Sequence, residues 1–65
     1  MNTLTQRERE ILRRIVDGLS NKEIARVEGM AEPTVKTHMR SLTAKTGCKN
    51  RTQLAVMAIR EGIAA

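Results

Sequence analysis

The sequence predicts an all-α domain of four helices, and three observations carry this prediction. Apolar residues recur at spacings of one, three and four, which is the periodicity of a helix with one buried face. Thr5, Ser20 and Asn50 precede three of the periodic segments, and such side chains cap helix N-termini. A glycine falls at the end of every segment, as is typical of helix C-termini. We place the helices at about 6–18, 21–28, 32–46 and 51–61.

The first two helices each begin with a capping box, in which a hydroxyl side chain and a glutamate three residues later both bond to the backbone. Thr5 and Glu8 form the first box, and Ser20 and Glu23 form the second. The core-facing residues of the first helix are Ile11, Leu12, Ile15, Val16 and Leu19. The second helix is short, and its inward residues are Ile24, Ala25 and Val27.

The third helix begins at Ala31 or Glu32 and has two different faces. Pro33 is tolerated in its first turn, because an N–H at that position has no helical partner. One face is apolar and consists of Val35, Met39, Leu42 and Thr46. The other face combines basic and small side chains, and it consists of Lys36, Thr37, Arg40, Ser41 and Ala44.

The fourth helix is apolar on two sides. The side that we expect to face the core consists of Leu54, Ala55 and Ala58. The roughly opposite side consists of Val56, Ile59 and Ile63. A helix of this kind usually meets a second partner. The alternative is that Ile59 and Ile63 only cover the ends of the core.

Charge and composition favour duplex DNA as the partner of this single domain, 1–65. Residues 1–32 contain six basic and six acidic side chains, whereas residues 33–65 contain six basic and one acidic, so the net charge of +5 lies in the second half. A one-sided basic field is typical of proteins that bind a phosphate backbone. The chain has no aromatic residue on which unpaired bases could stack, which argues against single strands and RNA loops.

Several other classes of protein are not expected. No apolar run approaches the roughly 18 residues of a membrane span and no signal peptide is evident, so we expect a cytoplasmic protein without a membrane partner. Cys48 and His38 are the only residues of their types, too few for a disulfide or a zinc site. With no carboxylate pair, nucleophile–base set or phosphate loop, we expect no enzyme, no cofactor and no small-molecule ligand.

The basic face of the third helix suits the major groove of DNA. Small side chains let a helix enter a groove about 12 Å wide, lysine and arginine can bond guanine, and a threonine methyl can pack on thymine. We therefore predict that the bases are read by Lys36, Thr37 and Arg40. The side chains expected to reach phosphates from behind are Lys45, Lys49 and Arg51. An ordinary amphipathic surface helix is the alternative, but a short helix and a turn at 29–31 precede it, as in a helix-turn-helix.

Five ordered blocks of sequence support this interpretation: LTxREREIL at 4–12, GLSNKEIA at 18–25, TVKTH at 34–38, KxG at 45–47 and NRTQ at 50–53, where x is a position outside the match. They resemble the LuxR-type, or GerE-type, helix-turn-helix domain of bacterial transcription regulators, including response regulators. The resemblance extends from Leu4 to Ile63. It implies a four-helix domain that binds duplex DNA, usually as a dimer on two half-sites, and it allows a contact with RNA polymerase.

The resemblance also implies roles for individual residues. Lys36 matches a position that contacts bases or nearby phosphates, and Thr37 and Arg40 match variable positions that set specificity. The residues that match positions near the DNA backbone are Lys22, Thr34, Lys45 and Arg51. His38 matches a histidine whose expected role is packing. The family dimerises through its fourth helix, which here carries Val56, Ile59 and Ile63.

Three residues depart from the family pattern. Glu28 stands where leucine is usual, and because an unpaired buried carboxylate is costly, its head group should reach solvent or a basic partner. Ala31 replaces a serine that would cap the third helix, a loss of about 1 kcal/mol. Thr46 places a hydroxyl on the apolar face. Together they predict a domain less stable than the family average.

Three functions remain in competition on the sequence alone. The favoured one is sequence-specific binding of double-stranded DNA in bacterial transcription regulation, with the third helix in the major groove. The second is a protein interaction or dimerisation module without specific DNA binding. The third is one part of a sigma-type polymerase subunit, which has a similar fold.

Overall fold

The structure, a computed structural model, describes residues 4–63 and contains four helices in that range. They are α1 (Gln6–Val16), α2 (Asn21–Glu28), α3 (Glu32–Thr46) and α4 (Arg51–Arg60). No strand occurs among the described residues, which confirms the all-α prediction. α2 and α3 have the predicted bounds, whereas α1 and α4 end slightly earlier than predicted.

Side chains cap three of the four helix starts, as the sequence predicts. In the first capping box, the Glu8 N–H donates to Thr5 Oγ1 at 3.1 Å and the Thr5 N–H donates to Glu8 Oε1 at 2.8 Å. Ser20 makes the equivalent box, and Asn50 Oδ1 accepts the Gln53 N–H at 2.9 Å. α3 begins after Ala31 without a side-chain cap, as predicted, and the lower stability expected from this stays a prediction.

All four glycines have positive φ and lie at helix ends. At Gly29 and Gly62 the left-handed backbone turns the next residue back toward its helix, an arrangement known as a Schellman motif. The Met30 N–H then donates to the Ala25 carbonyl at 2.9 Å, and the Ile63 N–H donates to the Ala58 carbonyl at 2.9 Å. The side chains of Met30 and Ile63 consequently pack against the core.

The core lies where α1 packs on α4 and α2 packs on α3, and these are the most extensive helix contacts. Its buried residues come from all four helices and the segment before α1. They are Leu4, Ile11, Leu12, Ile15, Ile24, Ala25, Val35, Leu42, Leu54 and Ala58. Val16, Leu19, Met39 and Ala55 are partly buried around them. The described part of the chain is small, with a radius of gyration of 10.5 Å, and each helix contributes only two or three buried apolar side chains.

The expected inward position of Val27 is wrong, because this side chain is 52% exposed. Glu28 takes the inward place instead, and its side chain is only 8% exposed. Its carboxylate accepts hydrogen bonds from Arg7 Nη1 at 3.0 Å and from Arg14 Nε at 2.8 Å. Of the two predicted outcomes for Glu28, solvent or a basic partner, the structure shows the second, and two arginines of α1 replace the apolar contact of the usual leucine.

Thr46 fits the apolar face of α3 because its hydroxyl bonds within the helix end. The hydroxyl donates to the Leu42 carbonyl at 2.7 Å and accepts the Cys48 N–H at 3.2 Å. Both the donor and an acceptor of this group are therefore used, and its burial leaves no unpaired polar atom.

Candidate nucleic-acid interface

The inner face of α3 is fixed by the core, which leaves the outer face to solvent. Val35 and Leu42 are fully buried, and the turn through Gly29 sets the angle at which α3 follows α2. Four of the five residues predicted for the outer face are exposed, and they are Lys36, Thr37, Arg40 and Ala44. An exposed helix behind a short helix and a tight turn is the arrangement by which helix-turn-helix proteins present a recognition helix.

The three residues predicted to read bases lie together on this outer face. The side chains of Lys36 and Arg40 make no hydrogen bond or ion pair within residues 4–63, so their donors are available to a partner. The Thr37 hydroxyl donates to the Pro33 carbonyl at 3.1 Å. This bond uses the hydroxyl proton and leaves the methyl group exposed, which is the part of threonine that packs on a thymine methyl.

Ser41 does not belong to this face, and its placement there is wrong. Its hydroxyl donates to Glu8 Oε2 at 2.6 Å, so the side chain points toward α1 and is partly buried. The bond spans 33 residues in sequence. Ser41 therefore joins α3 to α1 instead of shaping the surface that faces solvent.

Glu8 is a buried carboxylate at the centre of a polar cluster, which we call the Glu8 cluster, formed by Thr5, Glu8, Ser41 and Lys45. The Glu8 side chain is only 3% exposed. Its Oε1 accepts from the Thr5 N–H at 2.8 Å and from Lys45 Nζ at 2.9 Å, and its Oε2 accepts from the Ser41 hydroxyl. Burial alone would raise the pKa of Glu8, but these hydrogen bonds and the Lys45 charge outweigh it and lower the pKa to about 2.

The sequence identified Glu8 only as a capping residue and missed its contacts with α3. A signal for its burial was present, because Glu8, Ile11, Leu12 and Ile15 lie at i, i+3, i+4 and i+7, on one helix face. Nothing in the local pattern indicates its partners, which lie 33 and 37 residues later.

The five residues predicted to contact phosphates fall into two groups. The side chains of Lys22, Thr34 and Lys49 are exposed, with no partner within the part of the chain that the structure describes. Lys45 and Arg51 instead make internal contacts. Lys45 pairs with Glu8, and its side chain is 32% exposed.

Arg51 fastens the start of α4 to the segment that joins α1 and α2. Its Nη1 donates to Asn21 Oδ1 at 2.8 Å, and its Nη2 donates to the Leu19 carbonyl. The sequence did not indicate this role. The contacts hold the guanidinium beside the first turn of α2, next to Lys22, and leave its other N–H groups unused.

The outer side of α4 is apolar at two of its three predicted positions. Val56 is 43% exposed and Ile59 is 59% exposed. An open cavity of about 370 Å³ borders Val56, and its wall includes Cys48, Gln53 and Met57. Ile63 lies beyond the end of α4 and packs against the core, so helical spacing does not group it with the other two.

Comparisons with known proteins agree with this architecture. Residues 2–58 match the model of the family described as bacterial regulatory proteins, luxR family. Over 63 residues the chain is 44% identical to the nitrate/nitrite response regulator protein NarL of Escherichia coli K12, covering 97% of this chain and 29% of that protein. Over 50 residues it is 54% identical to the CsgBAC operon transcriptional regulatory protein of the same organism, covering 77% of this chain and 23% of that protein.

A further relative is the uncharacterized transcriptional regulatory protein YhcZ of Bacillus subtilis, with 47% identity over 57 residues, covering 88% of this chain and 27% of that protein. The chain thus spans less than a third of the length of each of these relatives. No helix among residues 4–63 is long and apolar enough to cross a membrane.

The family match extends over nearly the whole chain, and the relatives are named as transcription regulators, so an interaction module without specific DNA binding is not favoured. The chain belongs to the luxR family of bacterial regulatory proteins, and it is a helix-turn-helix DNA-binding domain of the kind that acts in transcription regulation.

Proposed function

We propose that this domain inserts α3 into the major groove of double-stranded DNA and reads bases with Lys36, Thr37 and Arg40. The observation that carries the proposal is the contrast within α3 between paired and unpaired cations. Lys36 and Arg40 have no internal partner among the described residues, whereas Lys45 of the same helix is paired. Lysine and arginine bond guanine O6 and N7, and the Thr37 methyl offers an apolar contact to thymine.

The domain is held in register by contacts with the phosphate backbone. We assign these contacts to Lys22, Thr34, Lys45, Lys49 and Arg51. Phosphate contacts fix orientation without specifying sequence. Arg51 uses the N–H groups that its bonds to Asn21 and Leu19 leave unused.

Two copies pair through α4 when they occupy two half-sites. Val56 and Ile59 form the centre of the proposed interface, since both are exposed and lie on one side of the helix. Ile63 lies at its edge, because its side chain already packs against the core. A two-fold symmetric protein matches two half-sites about one helical turn apart. Sedimentation with and without a two-site duplex tests this, and a strict monomer in both conditions contradicts it.

Selection of DNA sites by the 65-residue protein tests the groove-reading assignment. Against a selected site, Lys36→Ala and Arg40→Ala should remove the preference for particular bases, while Lys49→Ala should weaken binding to all sequences alike. Thr37→Ser removes the methyl while keeping the hydroxyl, and it should relax preference at a thymine. If Lys36→Ala and Arg40→Ala leave binding to the selected site unchanged, the assignment is wrong.

The full-length regulator would act in the bacterial cytoplasm, where its DNA is. A contact with RNA polymerase is part of the same proposal for the whole regulator. It is tested by measuring transcription from a promoter that carries the selected site. If the contact exists, some variants should bind the DNA normally and yet fail to change transcript levels.

A further inference from the structure

Lys45 differs from the other lysine expected near the backbone at this end of α3. Its Nζ lies 2.9 Å from Glu8 Oε1, and the side chain is 32% exposed, so the ammonium sits at the boundary between the Glu8 cluster and solvent. Lys49, four residues later, is exposed and its side chain has no partner within residues 4–63. Before DNA binds, the Lys45 ammonium is therefore already paired with a carboxylate, whereas the Lys49 ammonium is not.

The carboxylate beside Lys45 is a permanent negative charge near neutral pH. Glu8 accepts three hydrogen bonds, from the Thr5 N–H, the Ser41 hydroxyl and Lys45, and their combined effect holds its pKa far below its ordinary range. A phosphate that approaches Lys45 must share the ammonium with this carboxylate and is repelled by it. Both effects reduce the number of counterions that Lys45 can release from DNA.

We propose that Glu8 is a positioning residue for DNA binding: it holds the Lys45 ammonium between its own carboxylate and the phosphate backbone, and it thereby limits the charge that Lys45 contributes to binding. This inference rests on the proposed function. It assigns to α1, which carries none of the predicted DNA contacts, a direct influence on the strength and salt dependence of DNA binding.

Glu8→Gln separates the charge of this residue from its role in capping. Glutamine is accepted at the same position of a capping box, so its oxygen can still accept the Thr5 N–H and its amide can bond Ser41. Only the negative charge beside Lys45 is lost. Glu10→Gln is the matched control, because it removes the same charge from the same helix, at a residue whose ion pair is with Arg7.

The measurement is the affinity for a short duplex of arbitrary sequence at salt concentrations from about 50 to 200 mM, a range over which each phosphate contact adds about 0.9 to the logarithmic salt slope. We expect Glu8→Gln to bind more tightly at low salt and to steepen the slope by up to about 0.9, which is an additional fall of about threefold over this range. We expect Glu10→Gln to leave the slope unchanged. Loss of a merely structural residue would weaken binding without steepening the slope.

Lys45→Gln provides a second arm, and its measurement in the native background does not depend on the folding of a Glu8 variant. In the native background it should reduce the slope by clearly less than Lys49→Gln does. In the Glu8→Gln background, the same Lys45→Gln change should reduce the slope by more than it does in the native background. Circular dichroism at the binding temperature shows whether each variant is folded.

The outcomes distinguish this inference from the proposed function. If the native domain binds DNA with a steep salt dependence, but Glu8→Gln leaves the slope unchanged or Lys45→Gln matches Lys49→Gln in the native background, the inference about Glu8 is overturned and the proposed function stands. If the native domain shows no salt-dependent DNA binding, both fall. A steeper slope for Glu8→Gln but not for Glu10→Gln supports the inference.

Discussion

The side of α3 that faces α1 and the outer face of α3 both carry a hydroxyl side chain and at least one cation, but these residues differ in what they contact. On the side toward α1, Ser41 and Lys45 both bond the carboxylate of Glu8, and all three side chains are at least partly buried. On the outer face, Lys36 and Arg40 are exposed and have no partner within residues 4–63. A lysine paired inside the domain stabilises the fold, whereas an unpaired lysine on a rigid helix is available to a ligand. The comparison therefore predicts that substitutions on the side toward α1 lower the stability of the domain, whereas substitutions on the outer face impair DNA binding and leave stability unchanged.

The largest expected effect comes from removing the apolar support of the inner face. Leu42 is fully buried, and Leu42→Ala should lower the free energy of unfolding by about 2 to 5 kcal/mol. In a domain this small, such a loss is a large part of the total stability. Urea unfolding followed by circular dichroism measures it. A loss below about 1 kcal/mol would mean that α3 is not packed as described.

The second largest effect is expected from low pH, because protonation of Glu8 should weaken its contacts with α3 and destabilise the domain. The pKa of Glu8 is about 2 in the folded domain, against an ordinary value of 4.5. A depressed pKa adds stability above the unfolded value, and that contribution is lost as the pH falls from about 4.5 toward 2. The full loss is on the order of 3 kcal/mol.

Unfolding by urea at a series of pH values measures this loss, and Glu8→Gln is the control. The native domain should lose stability across the window, whereas the variant should show a flatter dependence there. Equal curves for the two proteins would show that Glu8 is not held as an anion by the Glu8 cluster.

Ala31→Ser should have a smaller effect in the opposite direction. Ala31 is the N-cap of α3 and makes no side-chain hydrogen bond, and a serine there would accept a backbone N–H of the first turn. We expect the free energy of unfolding to rise by about 1 kcal/mol, with an increase in the melting temperature. Ala31→Val, which enlarges the side chain without adding an oxygen and is as poor an N-cap residue as alanine, is the control. An unchanged melting temperature for the serine variant would place the start of α3 elsewhere.

The smallest effect on stability is expected on the outer face. Lys36→Ala and Arg40→Ala remove exposed side chains that lack internal partners, so each should change the free energy of unfolding by less than about 0.5 kcal/mol. The same urea experiment measures this. A clear destabilisation by either variant would show that the outer face also contributes to folding stability, which contradicts the comparison.

Much of the fold follows from local signals in the sequence. Thr5, Ser20 and Asn50 cap the helices they were predicted to cap, and the glycines end all four helices at positive φ. These features depend on residues a few positions apart, which a single sequence records directly. The basic partner of Glu28 was also predictable as a type, because a buried carboxylate requires compensation.

The predictions from the sequence that were wrong have a common physical origin, because contacts between distant segments decide the positions of those side chains. The eight residues of α2 are too few for periodicity alone to settle whether Val27 or Glu28 faces inward, and the arginines of α1 decide it. Ser41 looks like a surface residue until Glu8 of α1 is beside it. Ile63 is turned inward by the Schellman motif at Gly62, which ends the helical spacing.

The most direct test of the central claim, that the outer face of α3 reads DNA, is a ratio of affinities. The affinity for a selected site is divided by that for the same site with one base pair changed, for the native domain and for Lys36→Ala and Arg40→Ala. Loss of a bidentate contact is worth about 1 to 3 kcal/mol of discrimination, so the ratio should fall about fivefold or more at the base pair each residue reads, while stability stays unchanged. An unchanged ratio in both variants would contradict the account.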